Sequence, residues 1–456
     1  MAEKRVVTRR KATTKKSSGK FSFTREMLPS FANGSQEAAV MSQYRDQAWT
    51  AFEALELPKT TDEPWRRTDI RRLDTDNFQL ATADASYPEV PAELLEPLEG
   101  HTDGGQIVIA PGGQTTVTLS DEIAAQGVIF TDLATAATKH PDILEKVLGT
   151  IVKPDEGKFA ALAGSFADSG VLLYVPKGVH VEQPLHSVLW GPGVGLAHFS
   201  HLLIYIEDNA SATYMHEAAS PTEDGQTLHA GIVEIKVGDN ANFHFVELQS
   251  WGENVWNFTH ERARIGRDSY IDWIFGGVGS HLTKSFTELN LDGRGSSARM
   301  SGFYFTDGVQ HLDHDTQQNH NAADTNSDLL FKGALEGKSR SVWQGMIYVA
   351  PGAQKADGYQ HNPNLVLSTE ARADSIPGLE ILADDVRCTH GATIGRVEDE
   401  ELFYLLSRGI PRKLAERLIV DGFFDPIMQR IPFENVRERF RQAIEDKMAR
   451  AAELLD

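Results

Sequence analysis

Cys388 and His390, two residues apart near the C-terminal end, are the side chains whose types and spacing best suit chemistry in this sequence. They lie in the run LEILADDVRCTHGATIG (Leu379–Gly395), and Cys388 is the only cysteine of the 456 residues. In an extended strand, residues i and i+2 point to the same side, so the thiol and the imidazole would face the same way. Both groups bind metals, and a thiolate is also a nucleophile. The plainer interpretation is that Cys388 is a small apolar side chain in the core.

A second group of polar side chains lies in the run HLDHDTQQNH, which contains His311, Asp313, His314, Asp315 and His320. If the run is a loop, imidazoles and carboxylates at this spacing can hold a divalent metal ion. A solvated polar loop would have the same composition. The spacing therefore leaves both interpretations open.

The number of ligands limits what the Cys388/His390 pair can do. Iron–sulfur clusters and structural zinc sites take about four protein ligands, mostly thiolates. One cysteine cannot supply them, even if His361 from the preceding strand is a third ligand. We therefore expect no tightly bound cofactor on the isolated chain, and only a transient iron ion or cluster at a site shared with another subunit. The sequence also lacks a Gly-rich phosphate loop, a dinucleotide fingerprint and a Gly-x-Ser-x-Gly elbow.

The overall composition is that of a globular protein, with 41% hydrophobic and 24% charged residues and a net charge of −21. No apolar run approaches the roughly 18 residues of a membrane span, and one cysteine cannot form an internal disulfide. We therefore expect a cytoplasmic protein that does not contact the membrane. The acidic surface repels nucleic acid. Residues 1–20, with eight Lys or Arg and one Glu, are predicted to be a disordered basic leader.

The elements that must position these side chains are short β-rich runs that recur after Gly164. The last apolar residue before each turn falls at Val175, Ile206, Val237, Ile265, Leu291 and Leu335, and the register continues to Ala383. The first four steps are about 30 residues long, which is typical of a stacked solenoid, and the wider last steps suggest inserted loops. Few of the turns have the two-residue form of a hairpin, which disfavours a sandwich. We predict a mainly β protein built on a parallel β-helix, with the cysteine on its final coil.

Helical patterns flank the repeat on both sides. The sequence predicts helices over residues 36–57 and 132–148 in an N-terminal domain, and three helices after Gly395. The last two of these are separated at Asp425-Pro426. The resulting division is a leader at 1–20, an N-terminal helical or mixed domain at 21–155, the β-helix at 156–396 and a C-terminal helical domain at 397–456.

The segment ILADDVRCTHGATIGRVEDEELFYLLSRGIPRKLAERLIVDGFF (Ile381–Phe424) resembles the signature of the SufB/SufD family, the scaffold proteins of the SUF iron–sulfur cluster assembly system. The runs GYQHNPNLVLSTEARADSIPGLE and LDHDTQQNH resemble the core of the family. The stretch DEPWRRTDIRRLD (Asp62–Asp74) and the single cysteine are more similar to its SufD branch. The likeness covers most of residues 40–445.

This resemblance implies a right-handed parallel β-helix in a non-catalytic scaffold subunit that works with a SufB-like paralogue and a SufC-like ATPase. Cys388 and His390 match the Cys-x-His positions at the interface between the paralogues, where His390 would be an iron or cluster ligand. The C-terminal helices would bind the ATPase. Their apolar side chains are Leu402, Phe403, Leu406, Leu414, Leu418, Ile419 and Phe423.

Three alternatives remain open at the level of the sequence. The chain could be a SufB-like paralogue that carries the cluster, or it could form a homodimer in isolation. It could also be a carbohydrate-active enzyme on a β-helix that uses Asp384 and Asp385. Adjacent residues on a strand point to opposite faces, so this pair of acids is poorly placed for acid–base catalysis.

Overall fold

The computed structural model describes residues 20–29, 39–96, 98 and 104–453, and its strands and helices follow in chain order. The strands are β1 Gln79–Leu80, β2 Gly105–Ala110, β3 Gln114–Leu119, β4 Ile129–Asp132, β5 Ser169–Val175, β6 Leu185–Trp190, β7 Leu196–Ile206, β8 Ser211–Ala219, β9 Thr227–Val237, β10 Asn242–Ser250, β11 Val255–Ile265, β12 Tyr270–Gly277, β13 Leu282–Leu291, β14 Ser297–Thr306, β15 His311–His320, β16 Asn326–Leu335, β17 Arg340–Val349, β18 Asp357–Val366, β19 Arg372–Ile381 and β20 Arg387–Gly395. The helices are α1 Ala39–Ala54, α2 Asp121–Ala125, α3 Leu133–Lys139, α4 Pro141–Leu144, α5 Lys158–Phe166, α6 Asp399–Ser407, α7 Arg412–Met428 and α8 Glu434–Glu453. Residues 1–19 of the predicted leader lie outside the described residues.

The strands form two facing sheets, and the chain passes from one sheet to the other at each step. The odd-numbered strands from β5 to β19 make the first sheet, and the even-numbered strands from β6 to β20 make the second. Neighbouring strands within each of these two series are parallel. The predicted parallel β-helix is therefore confirmed, with eight coils.

The register stacks equivalent residues on top of one another along the solenoid. Val175, Ile206, Val237, Ile265 and Leu291 form one such inward column, which buries apolar surface between the two sheets. The following turns are rich in Asn, Asp and Gly because one turn position has positive φ. At successive coils it is filled by Asn209, Asn240 and Asp268, which tolerate this conformation.

The repeat does not widen after Leu291, which corrects the interpretation of the last coils. The residue stacked on Leu291 is His320, followed by Val349 and then Ile381, so no long loop is inserted. Leu335 belongs to the second sheet rather than to this column. The prediction missed a coil because β15, HLDHDTQQNH, is a strand with polar side chains on both faces.

Two predicted helix boundaries also change, both at prolines. The helix predicted over residues 132–148 is broken into α3 and α4 because Pro141 begins a new helix and His140 before it is not helical (φ −134°, ψ 45°). Conversely, α7 does not end at Asp425-Pro426 but runs through Pro426 to Met428. Helix α1 matches the helix predicted over residues 36–57 and ends earlier, at Ala54, while residues 36–38 lie outside the described part of the chain.

The two flanking regions cover opposite outer faces of the solenoid. The segment DEPWRRTDIRRLD lies on the first sheet, where the ring of Trp65 contacts Phe159, Phe258 and Phe286. Helix α8 lies on the second sheet, with the Phe440 and Phe303 rings 5.4 Å apart. Among the described residues, no helix is long and apolar enough to cross a membrane.

Candidate functional site

The C-terminal end of the solenoid is open, and Cys388 and His390 lie on it. Among the described residues, strand β20 pairs only with β18 and β19 only with β17, so each sheet ends there in a strand of nine or ten residues with one free edge. The N-terminal ends of the sheets are different, because they finish in the short antiparallel strands β3 and β4. A free edge presents unpaired backbone N–H and C=O groups to a partner.

The Cys388 and His390 positions share the inward face of β20, as the i, i+2 spacing predicts for a strand. Cys388 is in register with Gly358 and His390 with Gln360. Gln360 is fully buried, and its Nε2 donates to the carbonyl of Gly378 at 2.9 Å, across the space between the two sheets. Cys388 and His390 are thus the last residues of two stacked columns, one through Gly358 and one through Gln360, that face the solenoid interior.

The Cys388 side chain is half-buried beside small apolar residues of the last coils, including Ile347 and Val349. A Cβ placed on Gly358 would stand 3.3 Å from the Cys388 Sγ and 3.1 Å from the His320 Nε2. The thiol and this imidazole therefore flank the same glycine. Burial raises the pKa of Cys388 above its usual value, so the group is a protonated thiol at neutral pH.

The imidazole next to the thiol was not anticipated from the sequence. His320 is fully buried, with Nδ1 2.7 Å from the Thr325 hydroxyl and Nε2 2.8 Å from the Ser327 hydroxyl. Burial lowers the pKa of His320 to about 4, so it is neutral. The sequence could have indicated His320 if HLDHDTQQNH had been interpreted as a strand, because side chains at even spacing, such as His314 and His320, then lie on one face.

His390 itself is exposed, while Gln360 beside it is buried. His361, considered above as a possible third ligand, does not join the pair. It is in register with Gly391 and lies on the outer face of β18, because it is one residue away from the inward-facing Gln360. The register therefore does not support His361 as a third ligand at this site.

The metal-site hypothesis for HLDHDTQQNH is wrong, because the run is a strand and its side chains divide between two faces. His314 and His320 point inward, where the His314 Nδ1 is 2.7 Å from the Ser285 hydroxyl. Asp313 and Asp315 point outward, and both pair with the fully buried Lys284, at 3.0 and 2.8 Å. Nowhere in the described parts of the chain do three His, Cys, Asp or Glu side chains come together to hold a metal ion.

The apolar side chains predicted to bind a partner divide into exposed and packed groups. Phe403 is 72% exposed, and Leu406, Leu414 and Leu418 are exposed as well. Leu402 is buried, and Ile419 and Phe423 pack partly against the core beneath α7 and α8. The described surface therefore offers four of the seven predicted residues to a partner directly.

Between α6 and α7 lies a groove of about 770 Å³, and its lining reaches the solenoid. Leu365 of β18 and Arg396, which directly follows β20, contribute to its wall. Tyr404 and Leu418 line it from the two helices, and Glu401 adds negative charge. One wall of the groove is thus formed by the residue that directly follows β20, the strand that carries Cys388 and His390.

Comparison with known proteins agrees with this architecture. The family described as SUF system FeS cluster assembly, SufBD core domain, matches residues 190–423, and the SufBD protein N-terminal region matches residues 31–186. The chain belongs to the SufB/SufD family. The resemblance read from Ile381–Phe424 is therefore confirmed.

Individual relatives within the SufB/SufD family span almost the whole chain. The iron–sulfur cluster assembly protein SufD of Bacillus subtilis is 34% identical over 434 residues, covering 94% of this chain and 99% of the relative. The SufB protein of the same organism is 27% identical over 434 residues, covering 92% and 91%. A SufBD family protein of Staphylococcus saprophyticus is 26% identical over 431 residues, also covering 92% and 91%.

The two acids considered for a carbohydrate-active enzyme, Asp384 and Asp385, are exposed to solvent. Asp384 and Asp385 lie in an exposed bend between β19 and β20, not within a strand. The backbone N–H of Asp385 donates to the Gln354 Oε1 at 2.8 Å, which fixes the bend to the preceding coil. Their role in the structure is that of turn residues of a SufB/SufD-type solenoid.

Proposed function

We propose that this chain is a SufD-type scaffold subunit for iron–sulfur cluster assembly, in which Cys388 and His390 form one half of a site shared with a SufB-like paralogue. The observation that carries the proposal is that both positions lie on the inward face of the last strand, at an open sheet edge. Iron or the nascent cluster is here the cargo rather than a resident cofactor. The proposed role is that of a scaffold, without catalysis by this chain, in the cytoplasm.

The ligand count supports a shared site rather than a complete one. A cluster needs about four protein ligands, and the end of this solenoid offers one thiol and one exposed imidazole. His390 is the better ligand of the two in the isolated chain, since it is exposed and Cys388 is a half-buried thiol. Covering the open end with a second chain would bring further ligands to His390 and displace water from it.

The difference between the two ends of the solenoid supports binding of the paralogue at the C-terminal end. Strands β19 and β20 offer free edges, and the apolar side chains Leu379, Leu382 and Ile394 are exposed beside them. A related chain with the same open end can extend both sheets by backbone hydrogen bonds. The SufB-like paralogue satisfies this description, and a second copy of this chain is the alternative in its absence.

The groove between α6 and α7 supports a separate partner, which we propose to be a SufC-like ATPase. Leu418 lines the groove, and Phe403, Leu406 and Leu414 are further exposed apolar side chains of the same two helices. Aromatic and aliphatic side chains of this kind are typical anchors of protein interfaces. Since the chain has no phosphate loop, ATP hydrolysis has to come from such a partner.

The ligand role is tested by co-expressing the chain with its SufB-like and SufC-like partners and measuring iron and acid-labile sulfide in the purified complex. We expect His390→Ala to lower both, with unchanged subunit ratios. Thr389→Ala, one residue away on the outer face, is the matched control and should leave both unchanged. Unchanged iron and sulfide in His390→Ala would refute the ligand role.

The docking surfaces are tested by subunit retention in the same complex. We expect Phe403→Asp to release the ATPase while the paralogue stays bound, because a charge would be buried in an apolar contact. Ile394→Asp at the open end should have the opposite effect and release the paralogue. Retention of the ATPase by the Phe403→Asp chain would refute the α6–α7 assignment.

A further inference from the structure

Two carboxyl groups face each other inside the solenoid, far from the open end. Glu247 projects inward from β10 in the second sheet and Glu261 from β11 in the first. Both line one enclosed cavity of about 30 Å³, and their exposed fractions are only 8% and 4%. A cavity of this size holds one or two water molecules.

The hydrogen-bond donors to these carboxyl groups are neutral. The Trp273 Nε1 donates to the Glu247 Oε2 at 3.1 Å, and the Thr287 hydroxyl donates to the Glu261 Oε2 at 2.8 Å. Such bonds stabilise a buried carboxylate but do not cancel its charge. Two unpaired carboxylates in one sealed cavity would repel each other and lose their hydration, which is costly.

The other titratable side chains around the cavity supply no positive charge. Burial lowers the pKa of His216, of His229 and of His314 to about 3 in each case, so these three imidazoles are neutral. Burial raises the pKa of Tyr214, which is neutral as well. His216 on β8 and His229 on β9 line the cavity, and His314 on β15 hydrogen-bonds with Ser285 of its wall. No lysine or arginine is among the described residues that line the cavity.

We propose that Glu247 and Glu261 share one proton across the solenoid interior at neutral pH, so that the sealed cavity is a proton-binding site and loss of that proton loosens the central coils. Burial and the charge of Glu261 raise the pKa of Glu247 well above its ordinary range. Burial also raises the pKa of Glu261. The proton thus belongs to the pair and not to one residue.

The sign of the pH effect follows from proton binding in the two states. The unfolded chain releases the proton near the ordinary pKa of a glutamate, whereas the folded chain keeps it to higher pH. Between these two values the folded state binds more protons, so stability falls as pH rises through the raised pKa. One extra bound proton changes the unfolding equilibrium constant by up to about tenfold for each pH unit.

The test compares the full-length chain with Glu247→Gln in urea unfolding experiments between pH 5.5 and pH 9. Glutamine keeps the shape and a neutral state, so the variant should lack this component of the pH dependence. We expect its stability relative to the unaltered chain to rise with pH, by up to about tenfold in the equilibrium constant per pH unit within the window. Parallel curves for the two proteins would overturn the proposal.

Glu234→Gln is the matched control, because Glu234 is equally buried but its charge is satisfied. Its carboxylate accepts hydrogen bonds from the backbone N–H groups of Gly149, Ile151 and Val152, and it lies 2.9 Å from the His201 Nε2. An amide would meet these donors less well than a carboxylate. We therefore expect the control to be less stable than the unaltered chain throughout the pH series, without the rise that we expect for Glu247→Gln.

A second measurement keeps the proposal testable if a variant does not fold. The infrared spectrum of the unaltered chain at pH 7 should contain the carbonyl stretch of a buried protonated carboxylic acid, which shifts in deuterium oxide. This band should disappear as pH rises, together with a loss of protection of β10 and β11 amides from hydrogen exchange. Absence of the band at pH 7 would overturn the proposal without any variant.

Discussion

Replacing Gly358 by alanine tests the inward placement of the Cys388 thiol. The new methyl group would stand 3.1 Å from the His320 Nε2, 3.2 Å from the Ile347 Cγ2 and 3.3 Å from the Cys388 Sγ. All three distances are shorter than ordinary van der Waals contact, so at least one neighbour has to move. His320 is held by two hydroxyl groups and Ile347 is fully buried, which leaves the thiol as the group most able to turn away.

The expected energy follows from two opposing effects. Overpacking a tight site costs about 1–3 kcal/mol. Replacing glycine by alanine returns about 0.4–1 kcal/mol, because the unfolded chain loses freedom and the φ of Gly358 is not in the positive region. We therefore expect a net loss of about 0.5–2 kcal/mol in the free energy of unfolding, measured by urea denaturation. Alkylation of Cys388 should become faster, because the thiol moves towards solvent.

Gly395→Ala is the control on the same strand as Cys388. Apart from its own chain neighbours, no described atom lies within 4 Å of a Cβ at Gly395, so this substitution should leave the alkylation rate unchanged and cost no stability. The reasoning is refuted if Gly358→Ala leaves both the alkylation rate and the stability unchanged relative to the unaltered chain. In that case the thiol would not point into the solenoid.

Three further predictions concern other contacts. Lys447→Met removes a buried ion pair of 2.8 Å with Asp307, so it should lower the free energy of unfolding by about 3 kcal/mol. It should also make α8 sensitive to protease, and an α8 that stays protected would contradict this. Thr68→Val should cost about 1–3 kcal/mol in denaturation experiments, since Thr68 donates to the buried Asp313, and a loss below 0.5 kcal/mol would show that the contact does not hold the N-terminal segment. The alkylation rate of Cys388 should rise with pH at a midpoint above that of a free cysteine, because its pKa is raised, and a midpoint at or below the free value would contradict its burial.

The fold was predictable where local pattern and packing agree. The first coils alternate apolar and polar residues and end in Asn, Asp or Gly turns, so the period is visible in the sequence. The pattern fails at β15, because the inward positions His314, Gln318 and His320 are polar, and each makes a side-chain hydrogen bond inside the solenoid. An amphipathic pattern cannot show a strand whose buried face is polar.

The candidate site was predictable to the extent that it depends on one strand. The i, i+2 spacing placed Cys388 and His390 on one face, and the repeat placed them on the final coil. Their neighbours come from other coils. The register between coils depends on the exact length of each turn, which the sequence pattern does not give. For this reason the sequence suggested His361 as a possible third ligand and did not point to His320.

Polar side chains make up part of the interior of the last coils, next to the apolar cluster that contains Cys388. The first coils bury an apolar core, but near the open end the inward side chains include Gln360, Asn362, Asn364 and Ser375, which hydrogen-bond to one another or to backbone carbonyls. An apolar interior exposed at this end would form a patch prone to aggregation. Polar side chains can exchange these bonds for water when the end is uncovered and for partner groups when it is covered. Inward polar side chains, which hide β15 from sequence patterns, are therefore compatible with an end that is covered by a second chain in the function proposed above.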